Sequence, residues 1–183
     1  TQGYSSAASD VYKRQDMITM GKPMGNGIPI SGLAAKEDVL AAFSDKLPYF
    51  NTFGGNPVSI AAAQAVLKYI KDENLQEHCK KAGAALLKAL KEVQERHPES
   101  VGDVRGAGLF LGFEFVKNDG NKTPDKDMAL NVIEMLRDEH ILTSVIGHYG
   151  NILKLRPPMV FSENDIDWFA TSLDKCITKL ENK

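Results

Sequence analysis

Residues 16–30 read DMITMGKPMGNGIPI, a short apolar run followed by a turn that holds three glycines and a proline within seven residues. The apolar run predicts a strand, and the continuation IPISGLAA, to Ala35, predicts a second one. Between them, GKPMGNG is a loop whose glycines let backbone come close to a ligand. Lys22 stands in that loop directly after the first strand. A partly desolvated ε-amine at a cleft mouth can condense with an aldehyde. The same pattern also describes a solvated lysine beside a structural turn, so the local reading leaves both open.

Downstream, Lys36 to Phe43 has a helical pattern and LPYFNTFGGNP is irregular. Asn56 and Pro57 make an N-cap and first-turn pair for an Ala-rich helix to about Ile70, expected to be buried on most sides. Ahead of it, Gly54, Gly55 and Asn56 could offer backbone amides to a phosphate, with Thr52 adding a hydroxyl; an ordinary glycine turn reads the same way. A second helix is predicted from Leu75 to Arg96, with Leu75, Cys79, Ala82, Leu86, Leu90 and Val93 on one stripe. His97 and Pro98 end it.

The period changes in VGDVRGAGLFLGFEFV, where Leu109, Leu111, Phe113 and Phe115 alternate with smaller or polar residues as in a half-buried strand. A polar turn NDGNKTPDK, a helix from Met128 to Glu139 and two short strands in ILTSV and NILKLR follow, so a small α+β unit is expected here. Ser162 and Asp165 make a capping-type start to a last helix with Ile166, Phe169, Leu173, Ile177 and Leu180 inward. The boundary between the two lobes is placed near Glu95 to Val101. Arg156, at the end of ILKLR and before Pro157 and Pro158, can meet a carboxylate by two parallel bonds or form a surface ion pair.

The 183 residues carry 22 Lys+Arg against 24 Asp+Glu, a formal charge of -2, with no basic cluster. That balance argues against nucleic acid as a partner, because neutralising phosphates takes a concentrated basic face. No apolar run approaches the roughly 20 residues of a membrane span. Cys79 and Cys176 are isolated, which points to reduced thiols and a cytosol-like compartment rather than a disulfide framework. His78, His97, His140 and His148 show no ligand spacing, so they read as surface or packing residues and no metal is expected. Residues 1–15, TQGYSSAASDVYKRQ, lack a clean period and are similar to translated adaptor sequence, so they are expected to be a non-native or disordered tail.

Taken in order, DMITMGKPMGNGIPI, YFNTFGGNPVSIAAAQAVL, VRGAGLFLGFEF and LKLRPPMVF make the chain resemble the class III aminotransferase family of fold type I pyridoxal-phosphate enzymes. The resemblance covers about residues 16–183 and is close to the branch that holds both transaminases and phospholyases. It implies an α/β fold in which 16–96 is the C-terminal part of the large cofactor-binding domain and 97–183 the small α+β domain. Lys22 matches the catalytic lysine that holds pyridoxal 5′-phosphate as a Schiff base and shuttles the substrate proton. Thr52 matches the threonine that bonds the cofactor phosphate across a dimer interface, which implies a homodimer. Arg156 matches the small-domain arginine that binds a substrate carboxylate.

The family also uses an upstream aspartate on the pyridine nitrogen, a glycine-rich phosphate loop and a ring-stacking aromatic, none of which this sequence matches; neither Asp10 nor Asp16 takes the aspartate's role. The resemblance therefore implies a C-terminal fragment of an aminotransferase that moves an amino group between an amine or amino acid and a keto acid. Two alternatives remain: a phospholyase acting on phosphoethanolamine or phosphohydroxylysine, and a non-catalytic truncated subunit. A cytoplasmic location is expected, or a mitochondrial one if a leader precedes the chain.

Overall fold

The computed structural model describes residues 15–182. All of the expected N-terminal tail except Gln15 lies outside them. The chain divides into two compact units, Thr1–Glu73 and Asn74–Lys183.

In the first unit, β1 (Met17–Met20) and β2 (Gly32–Ala35) form an antiparallel pair, from Met17 opposite Ala35 to Met20 opposite Gly32. The second strand is shorter than IPISGLAA promised. Pro29 has no N–H to give to a ladder, and Ile28 to Ser31 stay in the loop. The turn Lys22–Gly25 is a single 3-10 turn between the strands, and α1 (Glu37–Ser44) follows β2. The pair is closed by the Lys36 N–H donating to the Asp16 carbonyl at 2.9 Å, with the two side chains in an exposed ion pair at 2.6 Å.

Helix α2 (Pro57–Asp72) starts as its sequence predicts: the Asn56 side chain accepts from the Ser59 N–H at 3.0 Å, and Pro57 fills the first turn. Its expected burial is not found. No residue of α2 is buried, and Val58 is 71% exposed. Within this unit it packs on the turn Lys22–Gly25, which is too short to cover a helix of 16 residues.

The second unit consists of α3 (Leu75–Arg96), β3 (Val101–Ala107), β4 (Phe110–Phe115), α4 (Lys126–Asp138), β5 (Ser144–Ile146), β6 (Ile152–Leu155) and α5 (Glu163–Glu181). Its strands make one antiparallel sheet in the order β3-β4-β6-β5. Period-2 alternation sends Leu111, Phe113 and Phe115 of β4 and Leu153 and Leu155 of β6 to one face. There they meet Leu86, Leu90 and Val93 of α3, Val132 and Leu136 of α4, and Leu173 and Ile177 of α5 in one buried cluster. Each such side chain contributes about 1.5–3 kcal/mol on leaving water. Phe113 and Phe115 meet edge to face, with centroids 5.3 Å apart.

Helix α3, which its sequence assigns to the first lobe, belongs to the second unit, and the division falls between Glu73 and Asn74. The reason is its stripe. Leu86, Leu90 and Val93 are almost fully buried against the sheet and α5. The helix comes so close to the β3–β4 turn that a Cβ on Gly83 would lie 2.2 Å from the Gly108 carbonyl carbon. His97, just past α3, is 5% exposed, with Nδ1 2.7 Å from Glu181 Oε2 and Nε2 3.2 Å from Asp174 Oδ1. It is a packing residue that ties the end of α3 to α5. The Ser162 and Asp165 side chains form the reciprocal cap that the sequence promised at the start of α5.

Candidate functional site

The glycine turn after β1 sets Lys22 in an unusual backbone state. Gly21 is extended, and Lys22 itself has φ 55°, a left-handed conformation uncommon for a residue with a side chain. The turn is pinned across and just after the lysine, beginning with the Met24 N–H donating to Gly21 O at 3.4 Å. Asn26 N–H donates to Pro23 O at 2.9 Å, Ile28 N–H donates to Gly25 O at 3.1 Å, and Gly25 is buried, with a Cβ there reaching 2.9 Å from Ile30 Cγ2. Backbone strain held by surrounding bonds clusters at functional sites. The Lys22 side chain is exposed, and among the described residues its amine has no hydrogen bond or ion pair.

Thr52 lies in the turn between Asn51 and Asn56. Asn51 Oδ1 accepts from the Phe53 N–H at 3.2 Å and the Gly54 N–H at 2.9 Å, and the Asn56 N–H donates to Phe53 O at 3.3 Å. Of the two readings open for Gly54, Gly55 and Asn56, those bonds favour the ordinary glycine turn over three amides offered to a phosphate. Two of the three are spent inside the turn. The Gly55 N–H and the Thr52 hydroxyl remain without a partner among the described residues.

The turn meets the root of the lysine loop in a shallow hollow of about 580 Å³, lined by Thr19, Met20, Ser31, Tyr49, Asn51 and Gly55 among others. Ser59 Oγ, in the first turn of α2, adds a bond of 3.1 Å to Pro29 O. The segments carrying Lys22 and Thr52 are thus brought together, although neither side chain lines the hollow itself.

Arg156 belongs to the second unit, where it follows β6. It stands at the rim of a groove of about 540 Å³ whose walls include Leu86, Ile141, Phe161 and Trp168. Two arginines in this unit differ sharply. Arg105 is held by Asp103 and Glu114, each at 2.6 Å, and those bonds, Glu114's first, raise its already high pKa. Arg156 has no carboxylate partner among the described residues; instead its guanidinium carbon lies 4.7 Å from the centroid of the Phe110 ring. Nothing in the inward alternation of β4 singles out Phe110 from its neighbours. The signal that could have found it is its place one residue before Leu111 on the opposite face.

The two units together have the fold of the C-terminal part of fold type I pyridoxal-phosphate enzymes, as the solved structures similar to it show. The chain belongs to the aminotransferase class-III family, which it matches over residues 3–177. It is 45% identical over 164 residues to ethanolamine-phosphate phospho-lyase homolog 1 of Caenorhabditis elegans, covering 89% of this chain and 35% of that protein. It is 39% identical over 165 residues to an alanine–glyoxylate aminotransferase 2-like protein of Drosophila melanogaster, covering 89% of this chain and 33% of the relative. Among solved structures, an Arthrobacter phospholyase in complex with phosphoethanolamine superposes with a TM-score of 0.85 at 38% identity, covering 89% of this chain and 38% of that one. The chain therefore spans about a third of the length of the curated relatives it matches.

The family's cofactor is pyridoxal 5′-phosphate. It needs an amine for its aldehyde and donors for its phosphate. Lys22 offers an amine free of ion pairs on a fixed turn, and Thr52 and Gly55 offer donors not spent locally, so these residues fit the group. Asp16 forms an exposed ion pair with Lys36.

Proposed function

We propose that the protein is a pyridoxal-phosphate-dependent aminotransferase that passes an amino group from an amine or amino acid to a keto acid, with Lys22 as its catalytic residue. The observation that carries this reading is the free Lys22 amine at φ 55° on the turn after β1. When bound, the cofactor supplies an electron sink that makes the substrate Cα–H acidic. Lys22 Nζ would hold the cofactor at rest, and once released would take the proton from the substrate Cα and return it elsewhere, as general base and then general acid. The pinned turn restricts the directions open to the amine, and a fixed proton carrier acts at high effective concentration. Thr52 Oγ1 would donate to the cofactor phosphate. In this family that bond crosses a dimer interface, so a homodimer is part of the proposal. Arg156 would hold the substrate carboxylate by paired N–H···O bonds. The isolated thiols Cys79 and Cys176 motivate a cytosolic setting.

A second reading is favoured by the 45% identity to a phospho-lyase homolog and the 38% identity to a solved phospholyase. In it Lys22 still takes the Cα proton, and a phosphate group on the adjacent carbon leaves in place of amine transfer. One pair of assays decides. Amine transfer gives a new amino acid from alanine and glyoxylate with no phosphate released. Phosphate elimination gives a carbonyl product, ammonia and inorganic phosphate from phosphoethanolamine, with no keto acid required.

Cofactor attachment has its own test. Incubation with pyridoxal phosphate, borohydride reduction and peptide mass spectrometry should place the pyridoxyl group on Lys22 in preference to every other lysine. Even labelling across surface lysines would count against both readings.

A further inference from the structure

We infer that Phe110 is a positioning residue that holds Arg156 as an uncommitted clamp for a carboxylate; the inference rests on the role proposed above for Arg156. Strand register places the pair. β4 and β6 run antiparallel with Leu111 opposite Leu155, and both of those side chains point into the core. One step beyond, Phe110 and Arg156 therefore leave the sheet on its other face, side by side. The guanidinium then lies over the ring, 4.7 Å from its centroid.

Both partners rise from fixed backbone. Arg156 precedes Pro157, which keeps it out of the helical region. Phe110 opens β4 directly after the turn at Gly108, whose φ is 53° and whose carbonyl lies against Gly83 of α3. A lone arginine on an open sheet face would ordinarily be free to swing, or be captured by a neighbouring carboxylate, as Arg105 is by Asp103 and Glu114. Stacking solves the problem differently. It uses the flat face of the guanidinium and leaves the N–H edges free. Those edges lie in one plane, and the anion that matches them with two parallel bonds is a planar carboxylate. Phe110 fixes that plane before the ligand arrives, so less freedom is lost on binding.

The test needs no turnover. In the 15N-labelled protein, the Arg156 Nε–H resonance, assigned by its loss in Arg156→Gln, should be displaced by the ring current of Phe110 and return toward the position of a free arginine side chain in Phe110→Leu and Phe110→Met. Phe110→Tyr should keep it. Propionate and inorganic phosphate are then titrated separately. Propionate should weaken about fivefold in Phe110→Leu and Phe110→Met, hold within about twofold in Phe110→Tyr, and be lost in Arg156→Gln.

Loss of propionate in Arg156→Gln with wild-type affinity in Phe110→Leu overturns the positioning role and leaves the reading of Arg156 intact. Unchanged propionate binding in Arg156→Gln overturns that reading itself. Equal weakening in the leucine and tyrosine variants shows a merely structural residue. Binding of phosphate alone through Arg156 overturns the carboxylate assignment. An undisplaced Nε–H in the wild-type protein overturns the stacking, whichever variants fold.

Discussion

The two units put their apolar residues to opposite use. In the second, β4 alternates so cleanly that Leu111, Phe113 and Phe115 are buried and the residues between them are not. In the first, Phe50 is 86% exposed and Phe53 80%, and among the described residues only Gly25 is buried. The second unit is thus held by a core. The first is held by turns and caps: the Asn51 turn, the Asn56 cap and the bonds across Lys22–Gly25. Lys22 and Thr52, proposed above to hold the cofactor, sit on the first unit. The bonds around them are mostly short-range, with the β1–β2 pairing and the Ser59 Oγ bond to Pro29 O as the longer ties.

The sharpest way to break that contrast is to separate function from stability. If Lys22 is the proton carrier proposed above, Lys22→Ala should reduce turnover at least about a thousandfold while leaving stability within about 0.5 kcal/mol. A comparable fall in the denaturation midpoint would show that the turn has a structural load the contrast denies. Phe113→Ala should cost about 3–5 kcal/mol in urea unfolding, since it empties a site closed on every side. Val58→Ala, on the exposed face of α2, should stay within about 0.5 kcal/mol. Similar costs for the two would erase the contrast.

Gly83→Ala comes next. Its new methyl group meets the Gly108 backbone at 2.2 Å, and backbone cannot rotate away as a side chain could, so a loss of about 1–3 kcal/mol is expected. Thermal melting measures it; a neutral result would mean that α3 and the β3–β4 turn are less tightly joined than the distances say.

What could be read from the sequence follows the same division. Helix α3 was legible end to end because its stripe and the following His97-Pro98 are local signals. The start of α5 was legible because Ser162 and Asp165 are three residues apart. Which unit α3 joins was not legible, since that depends on Leu86, Leu90 and Val93 meeting strands far along the chain. The exposure of α2 was hidden for the same reason: its apolar composition describes a face able to be covered, not what covers it. At the site, Lys22 and Thr52 could be singled out only with the family resemblance, since their glycine turns leave a structural reading open. The consumption of Gly54 N–H by Asn51 and the stacking of Arg156 on Phe110 could not, because a turn's internal bonding and a strand's register are absent from residue spacing.

The smallest effects concern how the helices of the two units begin, and they sharpen the contrast through proton binding. The start of α5 uses Ser162, whose backbone N–H and hydroxyl both donate to Asp165 Oδ2, at 2.9 Å and 2.6 Å. Those bonds, the hydroxyl's first, hold the Asp165 carboxyl below its ordinary pKa. Ser162→Ala removes the cap and should cost about 1 kcal/mol.

The pH effect has a definite sign. A carboxyl whose folded pKa lies below its unfolded value lends stability above the unfolded value, near pH 4, and that share is lost as pH falls through the folded one. Helix α2 begins instead at Asn56, whose amide oxygen accepts from Ser59 N–H and has no proton to gain in this range. As pH falls below about 4, the amide resonance of Asp165, which donates to Ser162 Oγ at 3.3 Å, should therefore move, while that of Ser59 holds still. In Asp165→Asn the movement should vanish. If Ser59 titrated in step with Asp165, acid would be acting on the chain as a whole, and the two starts would not be independent devices.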